Sequence, residues 1–153
     1  MATKGESSNL SIFTILILKF LVMKKLLFTI LLSTIITFNT YSRNWYKVIH
    51  AIAKVESNHN PKAVNGQYVG YLQIAPILVK ECNRILKKKG CSTTFALKDR
   101  YSREKSIRMF YIIQEFYNPK GNIEKAIRLW NGGPSYSVRA TQAYYNKVMK
   151  YLY

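Results

Sequence analysis

Glu56 is the side chain whose setting most invites chemistry. It closes the run Ala51-Ile52-Ala53-Lys54-Val55-Glu56-Ser57, a lone carboxylate among Ala, Val and Ile in a chain with 24 basic and 7 acidic residues. A carboxyl at the end of an apolar helix is partly desolvated, which disfavours its ionised form and raises its pKa. A Glu that stays protonated near neutral pH is what general-acid cleavage of a glycosidic bond requires. Taken alone, a Glu at a helix end is more often a salt-bridged surface residue, so the reading rests on its neighbours. Those are Ser57, then Gly70-Tyr71-Leu72-Gln73-Ile74 after a short polar connection, and further on Ala126-Ile127-Arg128-Leu129-Trp130-Asn131-Gly132-Gly133 and Thr141-Gln142-Ala143-Tyr144.

Other chemistry is poorly supported. Two Cys and two His at unrelated spacing make a poor metal site. His50 and His59 read as structural or solvated, and neither metal nor cofactor is expected. Cys82 and Cys91 leave two alternatives open, a disulfide across the turn at Lys88-Lys89-Gly90 in an exported chain or two thiols.

The elements that must position Glu56 follow from hydrophobic spacing. Trp45, Val48, Ile49, Ile52 and Val55 recur at three and four residues and predict a helix from Arg43 that ends near Glu56, where Asn58, Asn60 and Pro61 stop it. Gln67 to Tyr71 reads as a short strand or extended loop. Pro76 opens a helix through about Lys88 with Ile77, Leu78, Cys82, Ile85 and Leu86 inward. Ser102 caps a third helix carrying Ile107, Phe110, Ile113 and Tyr117, and Asn122 caps a fourth that runs to Trp130. A last helix is expected from Ser137 to Leu152, with Val138, Tyr145, Val148 and Leu152 on one side. The fold class is mainly α, a compact helical domain with at most a small β element.

Residues 1–42 read as a leader. A start at Met23 gives Lys24-Lys25, an apolar stretch through Ile36 and small residues at Thr40 and Ser42, the layout of a signal peptide cleaved after Ser42. An uncleaved anchor, or a membrane span from Leu10 to Phe38 interrupted by charge, is the alternative. The functional domain is then 43–153. It keeps 20 basic and 6 acidic side chains, so +14 of the chain's formal +17 belongs to it. Such a charge fits a polyanionic partner. No nucleic-acid-binding motif or zinc spacing surrounds the basic residues, so nucleic acid is not expected.

The four short stretches around Glu56, Gly70, Trp130 and Tyr144, in that order and spacing, resemble the soluble lytic transglycosylase domain, a relative of goose-type lysozyme. The resemblance covers about residues 43–153 and implies a lysozyme-like α+β fold. It implies that Glu56 is the single catalytic acid and base, with Ser57 orienting it or the substrate. Gly70 would let the backbone approach the sugar, Gln73 would be a polar contact in the cleft, Asn131 would brace the opposite wall, and Tyr144 would place its hydroxyl near Glu56. Tyr68, Tyr71, Trp130 and Tyr144 are expected to contact glycan, whereas Trp45, Tyr46, Tyr111, Tyr117 and Tyr145 are expected in packing. The chain departs from the family in having Leu129-Trp130 where Ala-Tyr is usual and Tyr71-Leu72 where Leu-Met is usual.

A shortage of acids points the same way. An inverting glycosidase needs a second carboxylate to activate water, and a retaining one needs a carboxylate nucleophile. No acid lies between Glu56 and Glu81, and Glu81, Asp99, Glu104, Glu115 and Glu124 read as solvated partners of basic neighbours. A lytic transglycosylase uses the C6 hydroxyl of its substrate instead. The expectation is therefore an exported, monomeric peptidoglycan lytic transglycosylase, periplasmic or on the anionic cell envelope, with peptidoglycan glycan strands as partner. A hydrolytic muramidase, an inactive glycan-binding or assembly module, and a cationic membrane-active protein are the alternatives.

Overall fold

The computed structural model describes the backbone of residues 4–152 and the side chains of 13–31 and 45–152. It divides into two units, Met1–Asn44 and Trp45–Tyr153. The first is helical, and its described apolar side chains, among them Phe13, Leu21 and Leu31, are exposed. Among the described residues no helix is long and apolar enough to cross a membrane. Thr40, Ser42 and the expected cleavage point lie outside the residues whose side chains are described.

The second unit is mainly α. Helix α1, Lys4–Ser57, enters it at Trp45; β1 (Val64–Asn65) and β2 (Tyr68–Val69) form a hairpin; α2 (Pro76–Lys88), a 3-10 turn (Leu97–Tyr101), α3 (Arg103–Tyr117), α4 (Ile123–Gly132) and α5 (Val138–Met149) follow. Short helices are marginal in water, so tertiary burial must hold the α1 segment. Trp45, Val48, Ile49 and Ile52 supply it, each at most 4% exposed, and each stabilises by about 2 kcal/mol. Trp45 meets Phe110 of α3 edge-on at 5.6 Å, and Phe110 in turn lies 5.2 Å from Trp130 of α4.

The caps at Ser102 and Asn122 fall where the sequence places them, and Ser137, expected as the first residue of the last helix, is its cap, the helix itself being Val138–Met149. Ser102 Oγ accepts from Lys105 N, Asn122 Oδ1 from Lys125 N, and Ser137 Oγ from Ala140 N. Two inward assignments fail: Ile77 is 71% and Val138 57% exposed, because each sits in the first turn of its helix, beyond the packed surface. Helix α4 also continues two residues past Trp130, to Gly132. The two cysteines are free thiols. Cys82 is buried in α2 with its Sγ 3.7 Å from the Met109 carbonyl, and burial pushes its pKa up to about 12; Cys91 is exposed beyond the helix end.

The hairpin and the loop to α2 are held from below by a buried arginine. Arg100 donates from Nη1 to the Gln67 and Ile74 carbonyls, both at 3.0 Å, and from Nε to Leu97 at 2.9 Å. The hairpin pairs Val64 with Val69 and Asn65 with Tyr68, and Val69 bridges on to Ile74. Gly70 closes this loop. It has φ +83°, and a Cβ there would stand 1.9 Å from the Arg100 carbonyl oxygen. Gly70→Ala is therefore expected to cost about 3 kcal/mol, from left-handed strain plus overpacking, read as a lowered denaturation midpoint at unchanged slope.

Candidate active site

Glu56 occupies the last turn of α1. The helix stops because Asn58 and His59 turn left-handed, at φ 51° and 66°, and the His59 amide returns to the Ala53 carbonyl at 3.1 Å. Asn tolerates that conformation better than most residues. Ser57 then ties the helix end to the next segment: its hydroxyl donates to the Tyr71 carbonyl at 2.8 Å. Ser57 thus fixes Glu56 through backbone rather than through a bond to the carboxyl.

The carboxyl itself meets α5. Tyr144 Oη donates to Glu56 Oε1 at 2.6 Å, across 88 residues of chain. Burial pushes the Glu56 pKa up to about 7, with the Tyr144 hydrogen bond acting in the opposite direction. Burial also raises Tyr144, as does the carboxylate beside it, so the phenol stays protonated and remains a donor. Arg128 sets the placement of α5. It is 3% exposed and donates to Glu124, the Val138 carbonyl, Thr141 and Gln142 while stacking 4.4 Å over the Tyr145 ring.

Glu56 faces a cleft of about 960 Å³, at the upper end of the range for small-ligand sites and suited to an extended ligand. Asn65, Gln67 and Tyr68 of the hairpin, Gln73 and Ala75 line one part. Ile77, Leu78, Lys80, Glu81 and Arg84 of α2, with Ile113 and Tyr117 of α3, line another, and Leu129, Trp130, Asn131, Gly133 and Pro134 complete it. Gln73 is left-handed at φ 48°, and its amide nitrogen donates to Gly70 at 3.0 Å and Ala63 at 3.3 Å. Trp130 fills this wall, its Nε1 donating to the Leu72 carbonyl at 3.3 Å.

The structure thus brings Glu56, Tyr68, Gln73, Trp130 and Asn131 to one cleft and Tyr144 to the carboxyl. Two expected contacts are corrected. Tyr71 is 2% exposed; its ring packs in the core behind the cleft, with the Arg103 guanidinium 5.0 Å from its centroid, so it offers a ligand no surface. Gly70 is buried as well, and the close approach it permits is to the Arg100 carbonyl rather than to a sugar.

One acid was misjudged from sequence. Glu81 pairs with a basic neighbour as expected, Arg84 through Nε at 2.7 Å and Nη2 at 2.6 Å, but it is only partly exposed, lines the cleft and also meets the Tyr117 hydroxyl. Arg84 chiefly holds its pKa below the usual carboxylate range. The spacing of Ile77, Lys80, Glu81 and Arg84, one face of a helix, was the available signal. Among the described residues no group of three His, Cys, Asp or Glu side chains is placed to hold a metal.

The family model described as the transglycosylase SLT domain matches residues 33–152, so the match starts ten residues upstream of Arg43. No curated protein and no solved structure matches the chain.

The Glu56 shift has a sign that stability can read. Its folded pKa lies above its unfolded value, so the folded state binds the proton more tightly, and the associated stability is present below about pH 4.5 and lost as pH rises through about 7. Glu56→Gln, which keeps an oxygen for Tyr144, is expected to gain on the wild type across that window, by up to about 3 kcal/mol at pH 8. Urea titrations of both proteins at pH 4, 6 and 8 check this; parallel curves would contradict it.

Proposed function

Because the chain belongs to the transglycosylase SLT domain family, we propose that it is an exported peptidoglycan lytic transglycosylase of the cell envelope. It cleaves the β-1,4 bond between N-acetylmuramic acid and N-acetylglucosamine and leaves a 1,6-anhydro end. Residues 1–42 serve as the leader or anchor, and the glycan lies along the cleft. The observation that carries the reading is the Glu56–Tyr144 pair: a desolvated carboxyl with its pKa near 7, facing a cleft of glycan size.

Tyr144 occupies Oε1, so Glu56 carries its transferable proton on Oε2. In the first step that proton passes to the glycosidic oxygen, the bond from C1 breaks, and the N-acetylglucosamine side leaves with its 4-hydroxyl restored. Positive charge develops at C1 of the muramic acid beside the new carboxylate, which stabilises it. In the second step the C6 hydroxyl attacks C1 and gives its proton to Glu56, which returns to its starting form. One carboxyl acts first as acid and then as base, and no water is consumed. Tyr144 steadies the carboxylate between the steps, whereas Tyr68, Gln73, Trp130 and Asn131 contact the sugars. Ser57 and Gly70 act through the backbone that holds Glu56 and Gln73.

A muramidase of the same fold would need a base for water, and Glu81 is the other carboxylate in the cleft. Arg84 and Tyr117 depress its pKa, and a low pKa makes a weak base. That favours the transglycosylase.

Mass spectrometry of digested sacculi tests the assignment. Anhydro-muropeptides are expected; reducing ends alone would mean a muramidase, and no products an inactive binding module. Glu56→Gln is expected to abolish cleavage while circular dichroism stays native. Activity should decline as pH rises through about 7, where the acid form of Glu56 is lost. The Tyr144 bond lowers the Glu56 pKa, so Tyr144→Phe should move that alkaline limb to higher pH; a limb that stays or moves down would remove Glu56 as the acid.

A further inference from the structure

Helix α2 changes chemistry along the cleft. Ile77 and Leu78 present apolar surface at its start, and Lys80, Glu81 and Arg84 line the same wall within the next two turns, Arg84 about 10 Å beyond Ile77 along the helix axis. None of the three takes part in the proton transfers at Glu56 or in the sugar contacts assigned to Tyr68, Gln73, Trp130 and Asn131. Resting on that reading, we propose that Lys80 and Arg84 form a carboxylate-binding subsite that recognises the acidic substituents of the glycan strand.

Arg84 is built for this. Glu81 takes its Nε and Nη2 edge in a bidentate pair, Tyr117 lies 3.4 Å from Nη2, and the guanidinium sits 5.4 Å from the Phe116 ring centroid. The planar fork is therefore held in one orientation before any ligand arrives, which lowers the entropic cost of binding. Nη1 makes no bond to protein among the described residues, and the side chain is 52% exposed. Lys80, one turn earlier on the same face, is exposed and joins none of the ion pairs among the described residues. Glu81 spends its charge on the arginine, so the wall keeps a net positive charge with two free cationic donors.

A peptidoglycan strand carries carboxylates in two places, on its stem peptides and, where those have been removed, on the lactyl group of each muramic acid. Both offer the same anion to this wall. Charge-assisted bonds from Arg and Lys to a carboxylate are among the stronger ones available to a protein, enough for roughly tenfold discrimination.

The test uses the full chain and four substrates: strands with intact peptides, strands stripped by an amidase, and each of these after its carboxylates are converted to amides. The quantity read is the ratio of kcat/KM on a carboxylate-bearing strand to that on its amidated counterpart. The wild type is expected to show a ratio of about ten or more on at least one pair, and Lys80→Met/Arg84→Met, which also uncovers the Glu81 charge, a ratio of one or below while circular dichroism stays native. The single variant Lys80→Glu, at an exposed position, is expected to lower the ratio too. Loss confined to the peptide-bearing pair assigns the stem peptide, and loss confined to the stripped pair assigns the lactyl group. A wild-type ratio of one on both pairs, or a ratio that neither variant moves, overturns the subsite while leaving the transglycosylase assignment intact. Cleavage of none of the four substrates would sink that assignment and the subsite with it.

Discussion

Removing a carboxylate from water is costly, and removing a carboxylic acid much less so. A fold that buries Glu56 therefore sets the protonation state of the site before any ligand binds, provided it can hold the carboxyl there against the gain from turning it outward. Much of the domain serves that condition. The apolar side of α1 fixes the helix by burial of Trp45, Val48, Ile49 and Ile52, and the Ser57–Tyr71 bond pins its last turn. From the other side, Arg128 docks α5 onto α4 through three partners on α5, Val138, Thr141 and Gln142, which brings the Tyr144 hydroxyl within 2.6 Å of the carboxyl. Desolvation and the tyrosine act on the same group with opposite signs, and desolvation is the larger. The result is an acid balanced near neutrality.

The segment facing Glu56 is built differently, from backbone in uncommon conformations. Gly70 and Gln73 both have positive φ within four residues, and the cost of order 1 kcal/mol for a non-glycine residue in that region persists only when its surroundings over-determine it. Here they do. Arg100 satisfies the Gln67 and Ile74 carbonyls from beneath, Gly70 N bonds Ala63, and the Gln73 amide reaches back to Gly70. The polar groups that line this part of the cleft are therefore preorganised by a buried cation rather than by a hydrophobic contact.

What the sequence made legible was whatever depends on local spacing. The helices at Pro76–Lys88 and Arg103–Tyr117, the caps at Ser102 and Asn122 and the stop after Ser57 all follow from periodicity and capping chemistry within a few residues. The meeting of Glu56 with Tyr144 came from the order of four short stretches, because no local rule joins residues so far apart. Tyr71 was missed for a related reason. Its neighbours Leu72 and Gln73 divide between core and cleft, and in a loop with left-handed turns alternation no longer says which face a side chain takes. Glu81 was missed because a carboxylate next to Lys80 and one turn from Arg84 on an amphipathic helix looks solvated, and only the packing of α2 beside the cleft changes that.

The basic excess of the domain bears on this site more sharply than on any surface. A field from so many cations lowers carboxylate pKa values, and the shifted acids outside the cleft's centre conform: Asp99 is held low by Lys105 and Glu81 by Arg84. Glu115 and Glu124 are likewise paired with Lys89 and Arg128. Glu56 escapes because its near neighbours are apolar or neutral. Lys54, the closest cation in sequence, turns its ammonium to Asn58, and the partner at hydrogen-bonding distance is a phenol. Exposed charges beyond about 8 Å are screened at physiological salt, whereas desolvation acts at contact and is not. A strongly cationic protein can therefore carry an acid poised near pH 7, as long as the groups in contact with that acid are apolar side chains and a tyrosine.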